Sequence, residues 1–138
     1  MYGNIKILSF PQTVEVISPY SAVVVKHNFP VAMKTTWRPT ITMTIRNVGS
    51  EPWKNPTLKS TDIDGTLSWF HDWSWSDQKT VQTLNKTIQP GEDAVFTFKI
   101  KPYWKPNTYP HIYKLWIGNQ AITINGGDTF ERWTRVDR

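Results

Sequence analysis

The chain reads as a series of short runs in which apolar and polar residues alternate. "TITMTIRN" (40–47) sets Ile41, Met43 and Ile45 against Thr42, Thr44 and Arg46. "AVFTFKIK" (94–101) does the same with Ala94, Phe96, Phe98 and Ile100, and "HIYKLWI" (111–117) with Tyr113, Leu115 and Ile117. A period of two puts each set on one face of a strand. "IKILSF" (5–10), "TVEVI" (13–17), "SAVVVKH" (21–27), "QAITI" (120–124) and "FERWTRV" (130–136) complete the predicted strands. No segment holds a helical period. Turn residues punctuate the runs: "NVGSEP" (47–52), "DIDG" (62–65), "QPGED" (89–93), "KPNTYP" (105–110) and "NGGD" (125–128). "LWIGNQAITI" predicts a hairpin with a two-residue Gly118-Asn119 loop. Pro90-Gly91 suits the central positions of a type II turn, and Asn47-Val48-Gly49 suggests a turn in which Gly49 takes a left-handed conformation. Eight or so short strands at this spacing predict an all-β sandwich or small barrel.

One segment breaks the texture. "WFHDWSWSD" (69–77) concentrates three of the eight tryptophans. Read as an extended strand, it projects Trp69, His71, Trp73 and Trp75 to one side.

Length and composition narrow the classes. At 138 residues the chain predicts one domain with a self-sufficient core. Without cysteine it has no disulfide, thiolate metal site or thiol nucleophile. No signal peptide and no membrane-spanning run are expected, which points to cytoplasmic synthesis. The net charge of +5 comes from scattered lysines and arginines, so nucleic acid is not an expected partner.

Four segments, taken in order, resemble a known family. "TMTIRNVGSEPW" (42–53), "IQPGEDAVFTFKI" (88–100), "PYWKPNTYPHIYKLWI" (102–117) and "TFERWTRV" (129–136) are similar to the immunoglobulin-like four-tryptophan domain of autophagy cargo receptors and its bacterial and phage relatives. The likeness spans about residues 29–136. Trp53 and Trp133 occupy two of the family's tryptophan places. Met43 and Tyr113 stand at the other two, and Asn107 replaces a glycine. The resemblance implies an immunoglobulin-like antiparallel β-sandwich over 29–138, with residues 1–28 as a strand-rich N-terminal extension or arm. It also implies a non-catalytic, protein-binding role.

Candidate chemistry is sparse. His27, His71 and His111 are far apart in sequence, and no nucleophile, base and orienter can be assembled around them. His71-Asp72 are strand neighbours in this reading and would face opposite ways. In "DIDG" the glycine is fourth and Trp73 stands twelfth, where a helix-loop-helix calcium site needs Gly sixth and Glu twelfth, so it reads as a turn. Asn85-Lys86-Thr87 is a glycosylation sequon that matters only in a secreted chain. No enzyme activity, cofactor or metal is expected.

The aromatics remain. Trp53 and Trp133 are expected in the core, with Ile41, Met43, Ile45, Phe96, Phe98, Ile100, Tyr113 and Leu115. Trp116 falls on the opposite face from Tyr113, and Trp104 lies in a proline-rich loop. Several tryptophans left outside a core make a surface larger than a monomer normally exposes. Trp69, His71, Trp73, Trp75 and Trp104 are therefore the candidate interface. At least two of Trp69, Trp73 and Trp75 are expected to pack against protein. The favoured partners are protein subunits, either copies of the chain or a capsid or tail protein, with the chain as a virion accessory. The alternatives are a carbohydrate-binding module that stacks sugars on the rings and a cellular protein-binding adaptor.

Overall fold

A computed structural model describes residues 19–138. The strands expected at 5–10 and 13–17 lie outside the described residues. Eleven strands follow: β1 (Ser21–His27), β2 (Ala32–Lys34), β3 (Thr40–Asn47), β4 (Trp53–Lys54), β5 (Thr57–Thr61), β6 (Thr80–Thr83), β7 (Thr87–Ile88), β8 (Asp93–Lys99), β9 (Asn107–Ile117), β10 (Gln120–Ile124) and β11 (Phe130–Asp137). No helix occurs among the described residues.

The strands stack as two layers. In one, β3 pairs antiparallel with both β1 and β8. In the other, β9 is the spine: β11 and β5 flank it antiparallel, β6 extends β5, and β2 joins β11 in parallel. β10 pairs antiparallel with the end of β9 and in parallel with β1, and so ties the layers along one side. A separate ribbon, β4–β7, carries Trp53 opposite Ile88.

The alternation read from the sequence faces inward as expected. Ile41, Met43, Ile45, Trp53, Phe96, Phe98, Ile100, Tyr113 and Leu115 are all buried. Phe29 links the layers, its ring 6.1 Å from Phe98 and 4.9 Å from Tyr113. The Gly118-Asn119 hairpin forms, with Gly118 at φ 59°. Gly91 takes φ 88° and the Glu92 N–H donates to Gln89 O at 2.9 Å, as a type II turn requires.

Several expectations are corrected. Trp133 is half exposed. Period two makes Trp133 share a face with Glu131 and Arg135, while Thr134 and Val136 point into the core. Gly49 has no positive φ. It is needed because a Cβ there would lie 2.4 Å from Pro19 O and 2.9 Å from Ser21 N. β1 lies within the stretch expected as an arm, and it is a full strand of the sandwich paired on both sides. "KPNTYP" is only partly a turn, because β9 begins at Asn107. Pro110 is tolerated there because β9 has β11 alone as neighbour at that point. The 69–77 segment is not a strand but a succession of turns. Short polar side chains in and beside it bind the local backbone: Ser68 Oγ accepts from Phe70 N–H, Asp72 from Ser74 N–H, and Asp77 from Lys79 and Thr80 N–H. Such local bonds compete with a sheet ladder.

Candidate functional site

The turns of 62–77 pack beside the loop 101–106 that leads into β9, at the end of the sandwich where Thr40 faces Lys99. The two are joined by Lys101 N–H donating to Phe70 O at 3.1 Å. Between them lies an open cleft of about 440 Å³, lined chiefly by Asp62, Leu67, Trp69, His71, Tyr103 and Trp104.

Asp72 anchors this arrangement from below. It is fully buried, and Arg38 grips it in a two-pronged bond of 2.6 and 2.8 Å. Ser74 adds its N–H at 3.0 Å and its hydroxyl. Burial pushes the Asp72 carboxyl up, but the bonds from Arg38 and Ser74 outweigh it and hold the group below its ordinary value. The guanidinium of Arg38 also sits 4.0 Å from the Trp73 ring centroid. Asp72 therefore orders the turn and does not orient His71.

The candidate residues separate. Trp69, His71 and Trp104 meet at the cleft. Trp75 is buried beneath, its Nε1–H donating to Lys99 O at 2.8 Å and its ring edge-on to His71 at 5.2 Å. Trp73 is exposed under Arg38 and does not line the cleft. Trp69 is half-buried and packs on Tyr103 at 4.9 Å and on Tyr109 at 5.1 Å. Trp69 and Trp75 are thus held by this domain's own residues. Tyr103, Leu67 and Arg38 went unnoticed in the sequence. Tyr103 adjoins Trp104 in "KPYWKP", but its meeting with Trp69 crosses 34 positions of chain and leaves no local signal.

The rings do not form one plane. Tyr103 lies at 71° to Trp69, and Trp104 at 39° to Tyr103. Three of the four tryptophans exposed among the described residues, Trp37, Trp73 and Trp104, stand on loops at this end.

A second set of polar groups lies in the core. His111 is fully buried, with Nδ1 2.8 Å from Tyr113 Oη and Nε2 3.1 Å from Thr134 Oγ1. Thr134 spends its one proton on Pro30 O, at 3.0 Å. It must therefore accept from His111 Nε2–H, so Tyr113 donates to Nδ1. Burial, and secondarily the charge of Arg132, pushes His111 down to about 3. Both ring nitrogens are engaged out of reach of solvent, so this network is structural. Asp62 turns its carboxylate to Asp64 and Thr66 N–H and closes the 62–66 turn. Among the described residues no cluster of three His, Cys, Asp or Glu could hold a metal.

No family model and no curated protein matches this sequence. Solved structures do. The crystal structure of the CARDB domain of the PF1109 protein from Pyrococcus furiosus, in complex with di-metal ions, matches at TM-score 0.55 and 15% identity over 91% of this chain and 98% of that one. The solution structure of the same domain gives TM-score 0.57 and 12% identity over 86% and 94%. E. coli alpha-2-macroglobulin matches at TM-score 0.55 and 14% identity, covering 83% of this chain and 6% of that one. At such identities the likeness establishes the fold: an immunoglobulin-like β-sandwich.

Proposed function

We propose that the chain is a non-catalytic module that docks on protein subunits through the aromatic cleft. One observation carries this reading: three of the four exposed tryptophans among the described residues stand on loops of a single end, the end that holds a cleft whose rings tilt against one another. Tilted aromatic pockets suit protein anchors, and Trp and Tyr are the side chains that dominate such contacts. A sugar platform asks for flat, accessible faces.

The first partner is a second copy. The carbonyl of Pro19 accepts from Glu51 N–H at 3.1 Å. That contact lies where Arg46 faces Asp93, at the opposite end of the sandwich from the cleft. Residues 1–18, which hold the alternating "IKILSF" and "TVEVI", are joined to the chain at Pro19, at that end, while the cleft opens at the other. That attachment point supports a head-to-tail contact between copies, a kind of contact that builds rings or filaments. We further propose that the assembly belongs to a virion, as a capsid decoration or tail component. Its support is the resemblance to a family with phage members.

Because the chain has no cysteine, single thiols can map the contact. Ile7→Cys and Leu67→Cys proteins, mixed under mild oxidation, are expected to yield a mixed disulfide dimer that the double variant Tyr103→Ala/Trp104→Ala suppresses. Light scattering of the full chain is expected to show an oligomer that the same double variant dissociates without change in melting temperature. An oligomer indifferent to both substitutions would overturn the reading. Glycan binding lost in the double variant would favour the carbohydrate alternative.

A further inference from the structure

A second cleft lies on the outer face of the β5–β9 layer, apart from the aromatic one. It measures about 290 Å³, near the lower bound of about 300 Å³ for small-molecule sites. Lys59, Lys79, Lys114 and Trp116 shape it.

Its charge pattern is unusual for a sheet. Lys59 and Lys114 stand directly opposite each other on adjacent strands, where like charges are unfavourable. Lys79 is held beside them because its carbonyl accepts from Ser60 N–H at 2.9 Å. Among the described residues none of the three ammonium groups makes an ion pair, and no carboxylate lines the cleft. Two acids feel the lysine charges, Asp77 that of Lys59 and Asp62 that of Lys79, in each case as the smallest of the causes that hold the carboxyl down. Asp77 accepts from Lys79 and Thr80 N–H at 2.9 and 2.7 Å, and Asp62 closes its own turn. The Lys59 ammonium lies 4.8 Å from the Trp116 ring centroid, which props it over the cleft.

We infer that this cleft binds a compact, multiply charged oxyanion of the phosphate class, with Lys59, Lys79 and Lys114 as its ligands and Trp116 as its floor. A bound dianion relieves the Lys59–Lys114 repulsion, so occupancy and stability are linked. This site is independent of the docking cleft, and either can fail alone.

The test uses the full chain and inorganic pyrophosphate as probe. The Trp116 indole N–H resonance, assigned through Trp116→Phe, is expected to shift saturably with pyrophosphate, and the melting temperature to rise. Sodium chloride at matched ionic strength is expected to do neither. Lys114→Thr is expected to weaken binding at least tenfold while melting no lower than the parent protein without ligand. Lys79→Thr supplies a second variant off the β5–β9 pair, with the same expected weakening. A non-saturating shift, an equal response to chloride, or full binding by both lysine variants would overturn the assignment.

Discussion

Asn47 and Gly49 show how much one turn can hold. Asn47 is fully buried, and each of its polar atoms is used. Its Oδ1 accepts from Gly49 N–H at 3.0 Å, and its Nδ2 donates to Glu51 O and Ile88 O at 2.9 and 3.0 Å. Its backbone N–H and carbonyl bind Glu92 and Gly91. The turn thereby joins β3, β7 and the 89–92 turn. Gly49 lets residues 19–21 pass against it. Gly49→Ala would drive a methyl into backbone atoms that cannot swing aside, and is expected to cost about 1–3 kcal/mol in urea denaturation. Gly91→Ala has open space but a φ of 88°, and is expected to cost about 1–2 kcal/mol from backbone strain alone. The Asn-x-Gly pattern marked a turn in the sequence. The reason for Gly49 was hidden, because the chain that crowds it lies some thirty positions upstream.

Among the elements, β3 and β8 were legible because every second residue is apolar and both strands lie over the core. β11 was not. "FERWTRV" places apolar residues at 130, 133 and 136, a spacing no strand can satisfy on one face. The fold buries Val136 and Thr134 and turns Trp133 outward, because Thr134 is the hydroxyl partner that buried His111 needs. Phe98→Ala is therefore expected to cost about 3–5 kcal/mol. Trp133→Ala is expected to cost under about 1 kcal/mol. Urea midpoints of the two variants check both, and a Trp133→Ala loss as large as that of Phe98→Ala would restore Trp133 to the core. β5 escaped notice because "TLKST" offers Leu58 alone as a strong apolar signal; its place beside β9 is a matter of pairing partners.

Across the whole molecule, the Tyr113–His111–Thr134–Pro30 chain ties β9, β11 and the segment before β2 through a histidine that must stay neutral. Its folded value of about 3 lies below the ordinary 6.5. The unfolded chain thus binds the extra proton between those values. Stability is full above pH 6.5 and falls as pH drops through that window, by at most about 1.4 kcal/mol per pH unit. His27, lowered by burial and then by Arg132, acts in the same direction. Urea midpoints at pH 7 and pH 5 are expected to differ accordingly, and His111→Gln to flatten most of the difference. A midpoint equal at both values would show that His111 titrates freely in the fold.

The sequence by itself determined the fold class, most of the core and the important turns. Strand alternation and turn chemistry act over two to four residues and need no distant partner. It also marked tryptophan as the distinctive element, since the rings outnumber what one core uses. Tertiary structure decided which rings are buried and which meet. Trp75 goes under because Asp72, Arg38 and Ser74 bend its segment into turns. Trp69 reaches Tyr103 because the 62–77 and 101–106 loops leave adjacent strands at one end. The convergence of Lys59 with Lys114 likewise depends on the β5–β9 register. Each is a relation between residues far apart in the chain, fixed by packing and pairing and by no local pattern.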